Sequence, residues 1–111
     1  MDADAYRPER QLRRGSQHWG PIIWRTMHSM ALCYPGRIRQ PEFETFYTVI
    51  ARMIPCHTCS TLYLEKIRAL PMAEYMDDSV RLFSWTVEIH NRVNASLGKP
   101  RMTVDDAYKL Y

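Results

Sequence analysis

Cys56 and Cys59 stand three residues apart, directly after Pro55, at the spacing of a redox-active disulfide. Pro55 suits the first turn of a helix, because its missing N–H costs nothing there. The i, i+3 spacing then puts both sulfurs on one helical face, near the end at which backbone N–H groups point outward. That end stabilises an anion, and thiols in Cys-x-x-Cys motifs have pKa values lowered to roughly 3.5–7.5. The motif therefore predicts a thiolate that exchanges disulfides, although the same spacing is also half of a zinc site.

A second group of reactive side chains follows Ile89 as the run His90-Asn91-Arg92-Val93-Asn94. At helical spacing, His90 and Asn94 project from an apolar side of the helix, with Asn91 at its edge. Buried polar groups need partners, so these three either satisfy one another, cap a helix, bind water, or hold a polar heteroaromatic cofactor. Their combination with a redox dithiol favours the cofactor.

Four rings are candidates for stacking on such a cofactor: Trp24 and His28 early in the chain, and Trp85 and His90 later. Flat aromatic surfaces pack well in offset or edge-to-face arrangements. The alternative is that the tryptophans belong to the hydrophobic core, as most tryptophans at helical spacing do.

The elements that must position these residues are all predicted to be helices. Trp24, His28, Ala31 and Leu32 recur at helical spacing and predict a first helix over about 19–34. A second amphipathic stripe runs over 43–54, a third carries both cysteines and ends at Pro71, and a long fourth is capped by Asp78 or Ser79. Gly98 and Pro100 end the fourth helix, and Thr103 caps a short fifth. The prediction is an all-α four-helix bundle with a short fifth C-terminal helix.

Composition limits the chain to one domain and a few functional classes. The 111 residues suffice for one core, 46% are apolar, and the net charge is only +3. Residues 1–17 hold four arginines and predict a flexible basic leader, rather than a nucleic-acid-binding arm, before a domain over 18–111. No apolar run suits a secretory signal or a membrane span. Three cysteines are too few for a secreted disulfide scaffold, so a disulfide here is more plausibly catalytic.

Three ordered motifs resemble the signature of the Erv/ALR flavin-linked sulfhydryl oxidases. They are Trp19-Gly20-Pro21-x-x-Trp24-x-x-x-His28, then Pro55-Cys56-x-x-Cys59, then His90-Asn91-x-Val93-Asn94-x-x-Leu97-x-Lys99-Pro100. The match spans roughly residues 19–111. Each motif alone would be weak, and the identification comes from all three in order at compatible separations.

The resemblance implies a helical bundle that encloses flavin adenine dinucleotide (FAD) and pairs as a homodimer. It implies oxidation of protein dithiols, or of a thioredoxin-like redox partner, with electrons passing through the Cys-x-x-Cys disulfide to flavin and then to O2, giving hydrogen peroxide. Cys56 would meet the client and Cys59 the flavin ring. The residues that would bind the cofactor are Gly20, Trp24, His28, Cys59, His90, Asn91, Val93, Asn94, Lys99 and Tyr111.

The chain also departs from many cellular relatives. It lacks the additional cysteine pair that shuttles electrons from the substrate, and it lacks a disulfide that fastens the last segment to the bundle. This compact form is more like the members encoded by large DNA viruses. We therefore expect a soluble intracellular protein acting in a host cytoplasm or virion, with the mitochondrial intermembrane space as the alternative. Cys33 matches no redox position and is predicted to be a buried thiol, or alternatively an exposed or intersubunit one.

Two other functions stay open at this point. A zinc module would use Cys56 and Cys59 with two more ligands from Cys33, His57, His28 or His90, but a second ligand pair at favourable spacing is missing. A helical interaction domain would leave the motif without a redox role.

Apolar residues of the first two helices favour a homodimer interface: Ile22, Ile23, Met27, Met30, Phe43 and Tyr47.

Overall fold

The computed structural model describes residues 15–111, which form five α-helices and two short 3-10 turns, with no strand in that range. The helices are α1 (Gly15–Leu32), α2 (Gln40–Met53), α3 (His57–Ala69), α4 (Ser79–Ser96) and α5 (Val104–Leu110), and the 3-10 turns are Arg37–Arg39 and Met72–Tyr75. The predicted four-helix bundle with a short fifth helix is confirmed. Residues 1–14 of the predicted leader lie outside the described residues, and 15–17 belong to α1.

Helix α4 is the centre of the bundle and packs against α1, α3, α5 and the second 3-10 turn. Trp85, fully buried, donates from Nε1 to the Leu70 carbonyl at 2.9 Å and meets the Tyr47 ring edge-on at 5.3 Å. Trp85 is therefore a core residue, and it does not offer a surface for stacking a cofactor.

Local capping explains where the helices begin and end. The Asp78 carboxylate accepts from the Arg81 N–H at the start of α4, and the Thr103 hydroxyl accepts from the Asp106 N–H at the start of α5. Gly98 follows α4 with φ of 71°, and the Lys99 N–H returns to the Asn94 carbonyl at 2.8 Å. This arrangement is a Schellman motif, for which glycine is favoured because it has no Cβ.

Three expectations about burial are wrong. Cys33 is exposed, just beyond the end of α1. Met27 and Tyr47, expected on an apolar surface, are fully buried in the hydrophobic core, where the Tyr47 hydroxyl donates to the Met27 carbonyl at 2.8 Å. In the part of the chain that the structure describes, no helix combines the length and apolar character needed to span a bilayer.

Candidate functional site

A cleft of about 610 Å³ lies between α1, α3, α4 and the segment that leads into α5. Its walls are mainly apolar and aromatic, with a few polar groups, as is typical of sites for organic ligands. The cleft brings together most of the residues that the family resemblance assigns to the cofactor: Gly20, Trp24, Cys59, His90, Val93, Asn94, Lys99 and Tyr111. His28 and Asn91 do not line it and lie behind its wall.

The Cys-x-x-Cys motif stands at the N-terminus of α3, as predicted, but the helix begins at His57 and therefore later than predicted. Pro55 precedes the helix instead of occupying its first turn, and Cys56 is the N-cap residue. The Cys56 sulfur accepts from the Cys59 N–H at 3.3 Å, as an oxygen does in an ordinary N-cap. The sulfur of Cys56 therefore lies where the partial positive charge of the helix end is strongest.

The two thiols differ in acidity. Hydrogen bonds from the Cys59 thiol and then from the Cys59 and Thr58 N–H groups lower the pKa of Cys56, outweighing its slight burial. Burial raises the pKa of Cys59 to about 11, helped by its hydrogen bond to Cys56 and by the Cys56 charge. The sequence expectation of a lowered pKa thus holds for Cys56 and is wrong for Cys59.

The two thiols also differ in position. Cys59 lines the cleft, whereas Cys56 is not among its lining residues and is flanked by the exposed Pro55 and His57. A ligand in the cleft would meet Cys59, and a molecule arriving from outside would meet Cys56.

Trp24 and His90 form the aromatic wall of the cleft. Their rings stack with centroids 3.9 Å apart and an angle of 8° between the planes. His28 is fully buried behind them, with Nδ1 2.9 Å from the Thr86 hydroxyl and Nε2 3.0 Å from His90 Nδ1. The Tyr111 ring lies 4.5 Å from that of His28 and joins α5 to the same cluster.

Both histidines are neutral at physiological pH. Burial lowers the pKa of His28 to about 3, with a smaller contribution from His90. Burial also lowers the pKa of His90 to about 4, and the charge of Lys99 adds to the effect.

Asn91 holds the segment that covers one side of the cleft. Its amide nitrogen donates to the Met102 carbonyl at 2.7 Å, and its amide oxygen accepts from the Met102 N–H at 2.8 Å. This pairing fixes the backbone of residues 97–103 against α4. Glu88 adds to the attachment by accepting from Arg101 at 3.1 Å.

Sequence reasoning missed several residues of the cleft, and Tyr63 is the clearest. Its buried ring lies 5.9 Å from that of Trp24, and its hydroxyl donates to the Met27 sulfur at 3.2 Å. The signal was available, because Tyr63 follows Cys59 by one helical turn on the same face of α3. Arg101 and Met102, by contrast, line the cleft through the path of a loop, and no periodicity predicts that path.

A zinc site receives no support from the geometry. Across residues 15–111, no three His, Cys, Asp or Glu side chains gather where they could hold a metal ion. Cys56 and Cys59 thus lack the further ligands that a closed zinc site requires.

Comparison with known proteins gives a consistent result. Residues 21–111 match the model of the Erv1 / Alr family. The chain is 30% identical over 95 residues to a probable FAD-linked sulfhydryl oxidase of Acanthamoeba polyphaga mimivirus, covering 82% of this chain and 66% of that protein. It is 31% identical over 103 residues to a putative FAD-linked sulfhydryl oxidase of Frog virus 3, covering 87% of this chain and 68% of that protein.

A solved structure with the same fold is the FAD binding domain of Erv1 from Saccharomyces cerevisiae. It matches with a TM-score of 0.67 and 27% sequence identity, covering 95% of this chain and 89% of that one. The chain spans about two thirds of the length of the two viral relatives.

Proposed function

The chain belongs to the Erv1 / Alr family, and from this premise we propose that it is an FAD-dependent thiol oxidase that makes disulfide bonds in protein dithiols. One observation carries the proposal. A Cys-x-x-Cys pair at a helix N-terminus has Cys59 in the wall of an aromatic cleft and Cys56 outside it. That is the arrangement needed to pass electrons from an external thiol to a bound redox cofactor.

The residues of the cleft fit FAD. Its volume of about 610 Å³ lies within the usual range for organic ligands, roughly 300–1,000 Å³. Trp24 and His90 supply flat surfaces, Asn94 supplies an amide, and Lys99 supplies positive charge for a diphosphate. His28 and Asn91 would act from behind, His28 by supporting His90 and Asn91 by fixing residues 97–103.

Disulfide exchange begins at Cys56. A client thiolate attacks the Cys56 sulfur of the Cys56–Cys59 disulfide, forming a mixed disulfide and releasing Cys59 as a thiolate. The client's second thiolate then attacks the client sulfur of that mixed disulfide, and Cys56 leaves. The client is now oxidised, and the two electrons are held by the reduced pair, with Cys59 in the cleft.

The lowered pKa of Cys56 makes it a good leaving group in the second exchange, because thiols of lower pKa leave faster. A bound FAD would supply the two-electron redox chemistry that links the reduced cysteine pair to O2, with hydrogen peroxide as the product. The chain's own contribution is to place Cys59 beside the cofactor and Cys56 beside the client.

We also propose a homodimer. Ile22, Thr26 and Met30 are all exposed and follow one another at four-residue spacing, so they form a stripe along α1. Val49 and Met53 of α2 are exposed as well, at 44% and 72%. Apolar side chains in such a run favour an interface between copies of the chain.

The two viral relatives support a virus-encoded enzyme that acts in a host cytoplasm or virion. A cellular relative also exists in yeast, so the mitochondrial intermembrane space stays the alternative. The client would be a protein dithiol or a small thioredoxin-like protein.

Purification without added cofactor tests the proposal. We expect a yellow protein that releases close to one FAD per chain on denaturation, consumes O2 with a reduced dithiol and forms hydrogen peroxide. A folded, colourless protein that gains no oxidase activity on incubation with FAD would contradict the proposal. Loss of the fold on chelation would instead indicate a metal module.

A further inference from the structure

The hydrogen bonds behind the cleft form a chain whose direction can be assigned atom by atom. The Thr86 hydroxyl lies 2.7 Å from the Phe83 carbonyl, which can only accept, so Thr86 donates its one hydrogen there. His28 Nδ1 lies 2.9 Å from the same hydroxyl oxygen, which must therefore accept. His28 consequently carries its proton on Nδ1.

The direction then passes to His90. A neutral imidazole has one N–H, so His28 Nε2 is an acceptor. His90 Nδ1, 3.0 Å away, must donate to it. The low pKa values of both rings agree with this assignment, because neither holds a second proton at neutral pH. His90 is left with an unprotonated Nε2.

That Nε2 is available to a ligand. His90 lines the cleft, and no described residue is hydrogen-bonded to its Nε2. The Trp24 ring covers one face of the imidazole, with the two ring centroids 3.9 Å apart. Nε2 accepts a hydrogen bond in the plane of the ring, so this stacking leaves it accessible.

We propose that Thr86, acting through His28, fixes His90 in the Nδ1–H tautomer, so that Nε2 accepts a hydrogen bond from an N–H group of the bound cofactor. This inference rests on the proposed function. Thr86 is a positioning residue, since it touches neither the cleft nor the reacting sulfurs. FAD has two such donors, the imide of the flavin ring and the amine of the adenine ring.

The tautomer can be read directly in the protein as purified. Long-range proton–nitrogen NMR on protein labelled with ¹⁵N-histidine distinguishes protonated from unprotonated ring nitrogens. We expect His90 to be protonated on Nδ1 and unprotonated on Nε2. A wild-type spectrum with the proton of His90 on Nε2 would overturn the proposal, whether or not any variant folds.

Thr86→Val and Thr86→Ser form a matched pair. Valine keeps the shape and removes the oxygen that accepts from His28, whereas serine keeps that oxygen. We expect Thr86→Ser to retain the tautomer, and Thr86→Val to give a mixture of tautomers or the reversed one. Loss of one such hydrogen bond should weaken FAD binding about five- to tenfold in the valine variant. An unchanged tautomer and Kd in a folded Thr86→Val protein would overturn the assignment.

Cofactor analogues identify the donor. The loss of affinity in Thr86→Val should disappear with an N3-methylated flavin dinucleotide if the imide is the donor. It should disappear with a dinucleotide that carries unsubstituted purine in place of adenine if the adenine amine is the donor. A loss that persists undiminished with both analogues would contradict an N–H donor. If wild-type protein bound no FAD, the proposed function would fail while the tautomer stayed measurable, so the two failures are distinguishable.

Discussion

Cys56 and Cys59 share one helix end, yet their acidities move in opposite directions. The N-terminal N–H groups of α3 converge on Cys56, whereas Cys59 turns into the cleft and loses contact with water. Burial disfavours a thiolate, so a thiolate forms more readily at Cys56 than at Cys59. This difference in acidity fits the proposed division of roles, in which Cys56 meets the client and Cys59 meets the cofactor.

Serine variants test the division of roles. In Cys56→Ser, the lone Cys59 faces oxidised flavin, and we expect a long-wavelength charge-transfer band. The negative charge of Cys56, which raises the pKa of Cys59, is then gone, so the band should grow in with a midpoint below pH 11. Titration of the long-wavelength absorbance against pH measures this midpoint.

Cys59→Ser should lack the band, and both variants should lose dithiol oxidase turnover while keeping FAD. Cys33→Ser is the matched control and should stay active, because Cys33 lies at the far end of α1 from the cleft-lining residues of that helix. A band in Cys59→Ser alone would reverse the assignment, and full turnover in either motif variant would exclude a disulfide relay.

Gly20 and Gly98 lead to opposite expectations for the effect of alanine on stability and on FAD binding. Gly20 is a buried helical residue that lines the cleft, and a Cβ there would meet no atom within 4 Å, so it would enter the cleft itself. We expect Gly20→Ala to stabilise α1 by about 0.5–1 kcal/mol and to weaken FAD binding. Denaturant unfolding and FAD titration of flavin-stripped protein measure the two effects.

Gly98→Ala is the counterpart. Its φ of 71° disfavours a Cβ although the surrounding space is open, so the cost is about 1 kcal/mol of backbone strain. The free energy of unfolding should fall in Gly98→Ala, whereas FAD affinity should not change, because Gly98 does not line the cleft.

For Gly20→Ala, an unchanged FAD affinity would mean that the cofactor does not occupy the space beside α1.

The sequence predicts where the helices lie along the chain better than it predicts which side chains are buried in the core. Helical periodicity and caps such as Asp78 are local signals, so the order, number and approximate bounds of the helices follow from them. Whether a ring is core or cleft depends on the crossing of several helices. Trp24 and Trp85 have the same chemistry, yet one lines the cleft and the other is core.

The same limit applies to the site. Cys59, His90 and Asn94 are brought together as their motifs predict, because each motif is a short helical segment. The hydrogen bond between Thr86 and His28 joins residues 58 positions apart, and no local pattern in either segment predicts it.

For the whole molecule, we expect a dimer that depends on the exposed stripe of α1. Ile22→Asp should convert the dimer to monomers at micromolar concentration, because a carboxylate would be desolvated in an apolar interface. Ile38→Asp is the matched control: Ile38 is 83% exposed but lies in the first 3-10 turn, outside the stripe. Sedimentation equilibrium measures the oligomeric state of all three proteins. A monomeric wild-type protein, or an Ile22→Asp variant that still dimerises, would contradict the proposed interface.

Stability should fall in mild acid. His28 and His90 have pKa values of about 3 and about 4 in the folded chain and about 6.5 when unfolded, so the unfolded chain binds protons first. Their contribution is complete above pH 6.5 and is lost as the pH falls toward 4, with a slope of up to about 1.4 kcal/mol per pH unit for each ring.

Unfolding free energies measured between pH 7 and 4.5 check this. His28→Asn should reduce the slope. Equal slopes in the wild-type protein and this variant would show that His28 does not carry the effect.

Cys56 is both the cap of α3 and one half of the redox pair, so helix stability and electron affinity form one thermodynamic cycle. In the disulfide, the Cys56 sulfur cannot carry a charge; on reduction it can ionise, and the helix end then gains an anionic cap. Whatever free energy the cap adds to the helix therefore favours the reduced form and raises the midpoint potential. A cap of about 1 kcal/mol corresponds to about 20 mV for a two-electron couple. We therefore expect the N-cap residue of α3 also to set how strongly the oxidised cysteine pair withdraws electrons from a dithiol.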